Sequence, residues 1–193
     1  MLKIPAQYQS EKGSRTIWGK VESGTVSLRD KCYIQPGEDP CQVEEIKDSS
    51  GRLVPYARPG ENVEVKFIMN REFINRGEVI CLKDAPVPLT ECIEAELQLL
   101  ELLPYKPIFT KGYTCTIHLN TLEVGCEVIQ IQKATIKEGD GQYTTVDKPK
   151  FVKSHAKAVV LIAFQRPICV AKYENGDRMG RFILRDENKT IAV

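Results

Sequence analysis

Glycine and lysine residues near the N-terminus come close to the pattern that binds a nucleotide phosphate. A phosphate-binding loop has the form G-x-x-x-x-G-K-[S/T], in which backbone amides cradle the phosphates and the hydroxyl holds magnesium. The segment from Gly13 to Lys20 has one residue too many, and Val21 stands where the hydroxyl is required. Two Asp-x-x-Gly sequences, at 48–51 and 177–180, indicate turns when no phosphate loop accompanies them. We therefore expect no catalysis, and no binding of GTP or magnesium, by these 193 residues.

Seven cysteines and two histidines are the other groups that could support catalysis or bind a metal. The cysteines are odd in number and form no Cys-x-x-Cys pair, which argues against a disulfide framework and a zinc site. We expect no metal, and reduced thiols buried as small apolar side chains. His118 lies in an alternating strand pattern, which favours a buried or sheet-face imidazole. A nucleophile that pairs His118 with Cys115 or Cys126 remains the alternative, an independent small enzyme.

Charge and hydropathy exclude several classes of protein. The chain has 27 basic and 26 acidic residues, so its net charge of +1 provides no general attraction to nucleic acid or anionic membrane. No apolar run approaches the roughly 18 residues that a membrane span needs, and residues 1–10 lack the pattern of a secretory leader. We expect a cytoplasmic monomer without a membrane partner.

Strand patterns dominate the whole chain. The segment 93–103 tests this interpretation, because it consists of strong helix formers whose apolar residues nevertheless alternate with a period of two. We interpret it as a strand. Elsewhere, short β-branched segments are separated by turn residues about every 10–20 positions, as in barrels and sandwiches; the clearest are 16–21, 63–67, 114–119, 128–132 and 158–163. The sequence predicts an all-β fold.

Two prolines, Pro86 and Pro88, interrupt the strand pattern near the middle of the chain. Proline cannot donate to a β-ladder and biases the preceding residue toward extended geometry, so a stiff linker is expected. Strand patterns lie on both sides. We place one domain at 1–83, a linker at 84–90 and a second domain at 91–193.

Three stretches of the first domain, 19–26, 58–65 and 75–81, resemble strand and turn segments of domain 2 in translational GTPases of the elongation factor Tu and elongation factor 1-alpha superfamily. The C-terminal stretch, 179–193, resembles the closing hairpin of domain 3. Its Gly-Arg-Phe-Ile-Leu-Arg-Asp and Lys-Thr-Ile-Ala sequences are most similar to the GTP-binding subunit of the eukaryotic peptide chain release factor. The segment 137–143 has no close match in this family.

The resemblance implies two antiparallel β-barrels in tandem, from a protein whose G domain, with GTP and Mg²⁺, is missing here. It implies a scaffold in translation termination on the ribosome. That scaffold would bind the class-I, stop-codon-reading release factor and couple it to the G domain of the same chain. The corresponding domains of the ribosome-rescue GTPase that binds Pelota, or of an elongation factor 1-alpha-like aminoacyl-tRNA carrier, are the alternatives.

The C-terminal motif supplies the candidate partner-binding residues. Strand alternation predicts Phe182 and Leu184 on a core face, with Arg181, Ile183 and Arg185 on the opposite face. Arginines beside an apolar residue are typical of an interface, and the resemblance implies that this region receives the class-I factor. The partner-binding set is Gly180, Arg181, Phe182, Ile183, Leu184, Arg185 and Asp186. Asp186 could equally close a turn. A basic stretch, Lys148, Lys150 and Lys153, is the second candidate, as a solvated loop or as a contact with the ribosome or the partner.

Overall fold

A computed structural model describes residues 2–9, 15–137, 142–173 and 178–193. The chain divides into two compact units. The first contains 1–89 together with 120–122 and 169–181, and the second contains 90–119, 123–168 and 182–193. Most of the unmatched insert at 137–143 lies outside the described residues.

The first unit is built around a closed antiparallel barrel. Its strands are β1 (Ile4–Gln9), β2 (Thr16–Lys20), β3 (Val26–Ser27), β4 (Lys31–Gln35), β5 (Asp39–Lys47), β6 (Tyr56–Ala57), β7 (Asn62–Met69) and β8 (Val79–Leu82). The barrel order is β1-β2-β7-β5-β4-β8, and β3 and β6 form a small separate ladder.

Alternation along β7 shows why this segment is a barrel strand. Val63, Val65 and Phe67 are at most 1% exposed and point into the barrel, whereas the intervening Glu64 and Lys66 point outward. A period of two is what a strand with one buried face requires. The apolar pattern therefore sets the register of the strand, because a slip by one residue would expose every core side chain.

The second unit is a curved sheet of seven strands with a two-stranded ladder beside it. Its strands are β9 (Leu89–Gln98), β10 (Phe109–Thr110), β11 (Thr114–Leu119), β12 (Leu122–Lys137), β13 (Tyr143–Asp147), β14 (Phe151–Val152), β15 (Lys157–Cys169), β16 (Ile183–Asp186) and β17 (Lys189–Ala192). A 3₁₀ turn (Arg178–Gly180) lies between β15 and β16 in the chain and groups with the first unit. The sheet order is β17-β16-β11-β12-β15-β9, with β13 on β12, and β10 pairs with β14.

The two ends of this sheet meet. The amide of Gln98 donates to the carbonyl of Val193 at 2.8 Å, and the amide of Val193 donates back at 3.1 Å. An isolated bridge joins Leu99 to Ala192 beside them. The exchange satisfies edge groups that an open sheet would leave unpaired. The all-β prediction is confirmed, and the 3₁₀ turn is the sole helical element of the described ranges.

The segment 93–103 is a strand as far as Gln98. The strand predicted from its alternating apolar residues is therefore confirmed over 93–98, although these residues are strong helix formers. Ala95 and Leu97 are buried, at 7% and 1% exposure, between exposed glutamates. Burial of one face of a ladder outweighs an intrinsic preference of a few tenths of a kcal/mol per residue.

The double-proline segment is shorter than expected and is anchored. β9 already begins at Leu89, so Leu89 and Thr90 are strand residues rather than linker. Val87 is 1% exposed and packs in an apolar cluster of the first unit with Cys81 and Met179.

Among the described residues, no helix has the length and apolar character of a membrane span.

Candidate partner-binding site

The C-terminal hairpin is formed by β16 and β17. Asp186 pairs with Lys189, and the two residues between them, Glu187 and Asn188, both have positive φ, of 45° and 66°. That is the two-residue turn whose twist matches that of antiparallel strands. Leu184 is fully buried and lies opposite Ile117 of β11. The hairpin is therefore fixed by the turn at one end and by the core on one face.

The strand begins at Ile183, two residues later than alternation from Arg181 assumes. Arg181 is exposed, whereas Phe182 and Ile183 are half-buried. The expectation that Phe182 is a core residue of this strand is therefore wrong, whereas Leu184, which was expected on the same core face, is fully buried. The division between the units also falls here, since 169–181 group with the first unit and 182–193 with the second.

Gly180 has a steric role. A Cβ at this position would come within 2.5 Å of the Ala171 carbonyl oxygen and 2.6 Å of the Tyr173 amide nitrogen. Both are backbone atoms of the segment beside it, and carbon atoms do not approach backbone groups so closely in folded proteins. Gly180 therefore permits the close approach of two backbone segments, whatever role it has toward a partner.

Arg185 does not point freely outward. It is half-buried, and its Nη2 donates to the carbonyl of Asn188 in the turn of the same hairpin. Its Nε is buried and has no hydrogen-bond acceptor among the described residues. The guanidinium is therefore folded back over its own hairpin, and Arg181 is the more accessible of the two arginines.

Asp186 is the acceptor at the centre of a compact polar network. Its Oδ2 accepts from Lys106 Nζ at 2.7 Å and from the Tyr113 hydroxyl at 2.9 Å. Lys106 Nζ also donates to the Thr114 carbonyl at 2.9 Å and lies 3.7 Å from the centre of the Tyr113 ring. These contacts join the end of β16 to the start of β11. They favour a structural role for Asp186, whose Oδ2 already accepts from two donors.

The network predicts a loss of stability in alkali. Burial, followed by the hydrogen bond to Asp186, raises the pKa of Tyr113. Above the ordinary tyrosine pKa of about 10, the unfolded chain loses this proton while the folded chain keeps it. The free energy of unfolding therefore falls as pH rises, by at most about 1.4 kcal/mol per pH unit for one group.

Tyr113→Phe should make that decline shallower, and urea unfolding across the alkaline range measures it. Tyr143→Phe is the matched control, because Tyr143 is 69% exposed. Identical alkaline slopes for the Tyr113→Phe variant and the unmodified protein would show that Tyr113 does not contribute.

The three lysines of the second candidate are all exposed. Lys148 and Lys150 line a depression of about 270 Å³ together with Lys111, Gln130, Ile131 and Pro149. Lys111, Lys148 and Lys150 form no ion pair with another residue that the structure describes. No carboxylate from the described part of the chain lines the depression. The arrangement concentrates positive charge over a small apolar floor, and Lys153 lies outside it.

The described part of the segment that comes near a phosphate loop is a barrel strand, and positions 13 and 14 lie outside the described residues. Residues 16–20 form β2, and a Cβ on Gly19 would lie 2.7 Å from the Ile4 side chain. An extended strand packed against its neighbour does not form the loop that wraps its amides around a phosphate. Within the described ranges, no cluster of three or more His, Cys, Asp and Glu residues could hold a metal ion.

Comparison with known proteins decides the family. The family described as "GTP-eEF1A C-terminal domain-like" matches residues 92–193, which is more than half of the chain. The chain belongs to this family. Two curated proteins are similar over 100% of the chain, each at 30% identity. They are the eukaryotic peptide chain release factor GTP-binding subunit of Zygosaccharomyces rouxii and elongation factor 1-alpha of Archaeoglobus fulgidus.

The chain spans less than half of these relatives, 28% of the first and 45% of the second. A crystal structure of sup35 complexed with GDP matches the fold with a TM-score of 0.87 and 23% identity. It covers 99% of this chain and 45% of the other. The chain thus corresponds to the C-terminal domains of release factor GTP-binding subunits and elongation factors 1-alpha, with their barrel architecture.

The alternative of a Cys-His nucleophile does not suit this member of the family. Cys115 and Ile117 face the interior of the second unit, and His118, one residue further along β11, faces the other side of the sheet. Its Nδ1 lies 3.6 Å from Glu123 Oε1. Cys126 also faces inward, at 4% exposure. A strand places neighbouring side chains on opposite faces, so neither thiol can share a proton with this imidazole.

Three residues of the site were not predicted from the sequence. Lys106 and Tyr113 hold Asp186, and Lys111 lines the lysine depression. They fall in or beside the segment 106–112, which has no recognisable pattern. The Lys-Gly-Tyr sequence before a strand was the available signal for a turn, but it does not indicate which strand end lies opposite.

Proposed function

We propose that this chain is the docking scaffold of a translation termination GTPase and that it binds a class-I peptide chain release factor. The observation that carries the proposal is the similarity of the whole chain to a release factor GTP-binding subunit. The rest of the termination machinery, the ribosome and a G domain, would be the other partners. We place the protein in the cytoplasm, because its relatives are translation factors.

Arg181 is the residue that we assign to this interface. Its side chain is exposed and has no ion pair within the described ranges, and the half-buried Ile183 is close by in sequence. Arginine is enriched among the residues that dominate interface energetics, because its planar donor group pairs with carboxylates and its stem covers apolar surface. Arg185 contributes less, since its guanidinium is already engaged in the hairpin turn.

Arg181→Ala should weaken binding of the class-I factor by about 1–2 kcal/mol, whereas Arg185→Ala should change it by well under that. Isothermal titration calorimetry of each variant measures both. Lys20→Ala is a matched control on the first unit, and circular dichroism checks that every variant is folded. Equal affinity of Arg181→Ala and the unmodified chain would remove Arg181 from the interface.

Two further titrations test the assignment to release factors. Tighter binding of Pelota than of the class-I factor would transfer the chain to the ribosome-rescue GTPase. Binding of aminoacyl-tRNA would transfer it to the elongation factors, a candidate favoured by the equal 30% identity to the Archaeoglobus protein. Both titrations use the same protein preparation, so failure to fold cannot be mistaken for specificity.

The lysine depression is proposed as a ribosome contact. Lys111, Lys148 and Lys150 lie around it, and phosphates of RNA are the abundant anions on a ribosome. Lys153 is exposed but lies outside the depression. Replacement of the three depression lysines by glutamine should reduce ribosome co-sedimentation at low salt, with a smaller difference at high salt because counterions screen exposed charges.

We propose that the chain performs no chemistry and binds neither GTP nor Mg²⁺. The support is the absence of a phosphate-loop sequence together with the strand geometry of residues 16–20. Titration with a fluorescent GTP analogue should give no saturable signal at micromolar concentration, on the order of the affinity that a dedicated nucleotide site provides. Saturable binding that unlabelled GTP displaces would contradict the proposal.

A further inference from the structure

Two thiols lie side by side in the interior of the second unit. Cys115 Sγ and Cys126 Sγ are 3.6 Å apart, on the neighbouring strands β11 and β12. Both face the buried side of the sheet. Ile117 lies two positions from Cys115, Val124 and Val128 each lie two positions from Cys126, and all three are buried. Side chains opposite one another on adjacent strands have the separation that a disulfide requires.

The two thiols differ in access to solvent. Cys126 is 4% exposed, whereas Cys115 is intermediate. An oxidant in solution can therefore reach Cys115, with Cys126 positioned behind it to complete a disulfide. A solvent-accessible cysteine with a resolving cysteine next to it is one feature of redox-sensitive pairs.

We propose that Cys115 and Cys126 form a reversible intramolecular disulfide when the protein meets a hydroperoxide. The hydrogen bond to Cys126, followed by burial, raises the pKa of Cys115, so this thiol is protonated in the resting pair. Its sulfur attacks one peroxide oxygen, the O–O bond breaks, the thiol proton passes to the departing hydroxide, and a sulfenic acid and one water form. The Cys126 sulfur then attacks the Cys115 sulfur, the S–S bond forms, and the sulfenic oxygen leaves as a second water. In sum, two thiols lose two electrons and two protons, and one hydrogen peroxide becomes two waters.

The chain contains matched internal controls. Cys32 and Cys41 are paired residues on β4 and β5, but they are 1% and 6% exposed. Cys92 is exposed and has no cysteine partner among the described residues. If proximity and access together decide oxidation, the pair Cys115 and Cys126 should form its disulfide before Cys32 and Cys41, and Cys92 should stop at a mixed or oxidised form. Oxidation of this pair does not require that the class-I release factor binds the chain.

The sequence makes the products easy to read. No Lys or Arg lies between Gly112 and Lys133, so one tryptic peptide contains both Cys115 and Cys126. The protein is treated with graded hydrogen peroxide, quenched with N-ethylmaleimide and analysed by mass spectrometry. The peptide should lose both maleimide groups together and recover them after dithiothreitol.

Two variants separate the steps. In Cys126→Ala, dimedone should trap a sulfenic acid on Cys115, and Cys115→Ser should leave Cys126 labelled by maleimide after denaturation. Cys41→Ala should form the 115–126 disulfide as the unmodified protein does. Retention of two maleimide groups on the peptide when Cys92 is fully oxidised would overturn the proposal, as would earlier loss of both groups from the peptide containing Cys32 and Cys41.

Discussion

Leu184→Ala should destabilise the second unit by about 2–5 kcal/mol, the range measured when a buried leucine is truncated in a packed core. Leu184 is fully buried in β16, opposite Ile117 on one neighbouring strand and Ala192 on the other. The loss combines the transfer free energy of the removed carbons with the cavity that remains. Urea unfolding followed by circular dichroism measures it.

Ile183→Ala provides the matched comparison, because Ile183 precedes Leu184 in the same strand and is only half-buried. Its cost should be clearly smaller, since less apolar surface is exposed by its removal. Similar losses for the two variants would show that both faces of β16 are equally packed, contrary to the burial along the strand.

Asp186→Ala is expected to cost about 2–3 kcal/mol, because it leaves the Lys106 ammonium and the Tyr113 hydroxyl without their acceptor. Tyr113 is only 3% exposed, so water replaces the lost contact poorly. Chemical unfolding at neutral pH measures the change.

A double-mutant cycle assigns the cost to the pair rather than to lost packing. Lys106→Met and Asp186→Leu together should be less destabilising than the sum of the two single changes, since neither then leaves an unpaired charge. Strict additivity would mean that the two side chains do not interact in the folded protein.

The amino-acid sequence by itself determined that both units are built from β-strands. Alternation in 63–67 and 93–98 places one set of side chains on a buried face, and this local pattern is legible without any knowledge of the partner strands. The C-terminal motif indicated the closing hairpin through its resemblance to domain 3 of translational GTPases, and β16 and β17 form that hairpin.

Only the tertiary structure decided which side chains meet across the sheet. Asp186 finds Lys106 80 positions away and Tyr113 73 positions away, through segments without a distinctive pattern. The same pairing of strands brings Cys115 Sγ within 3.6 Å of Cys126 Sγ and places His118 on the other face of the sheet from both. Arg185 is turned onto its own hairpin carbonyl. Strand alternation specifies a face, but contact depends on register between distant strands, and that is set by the packing of the whole unit.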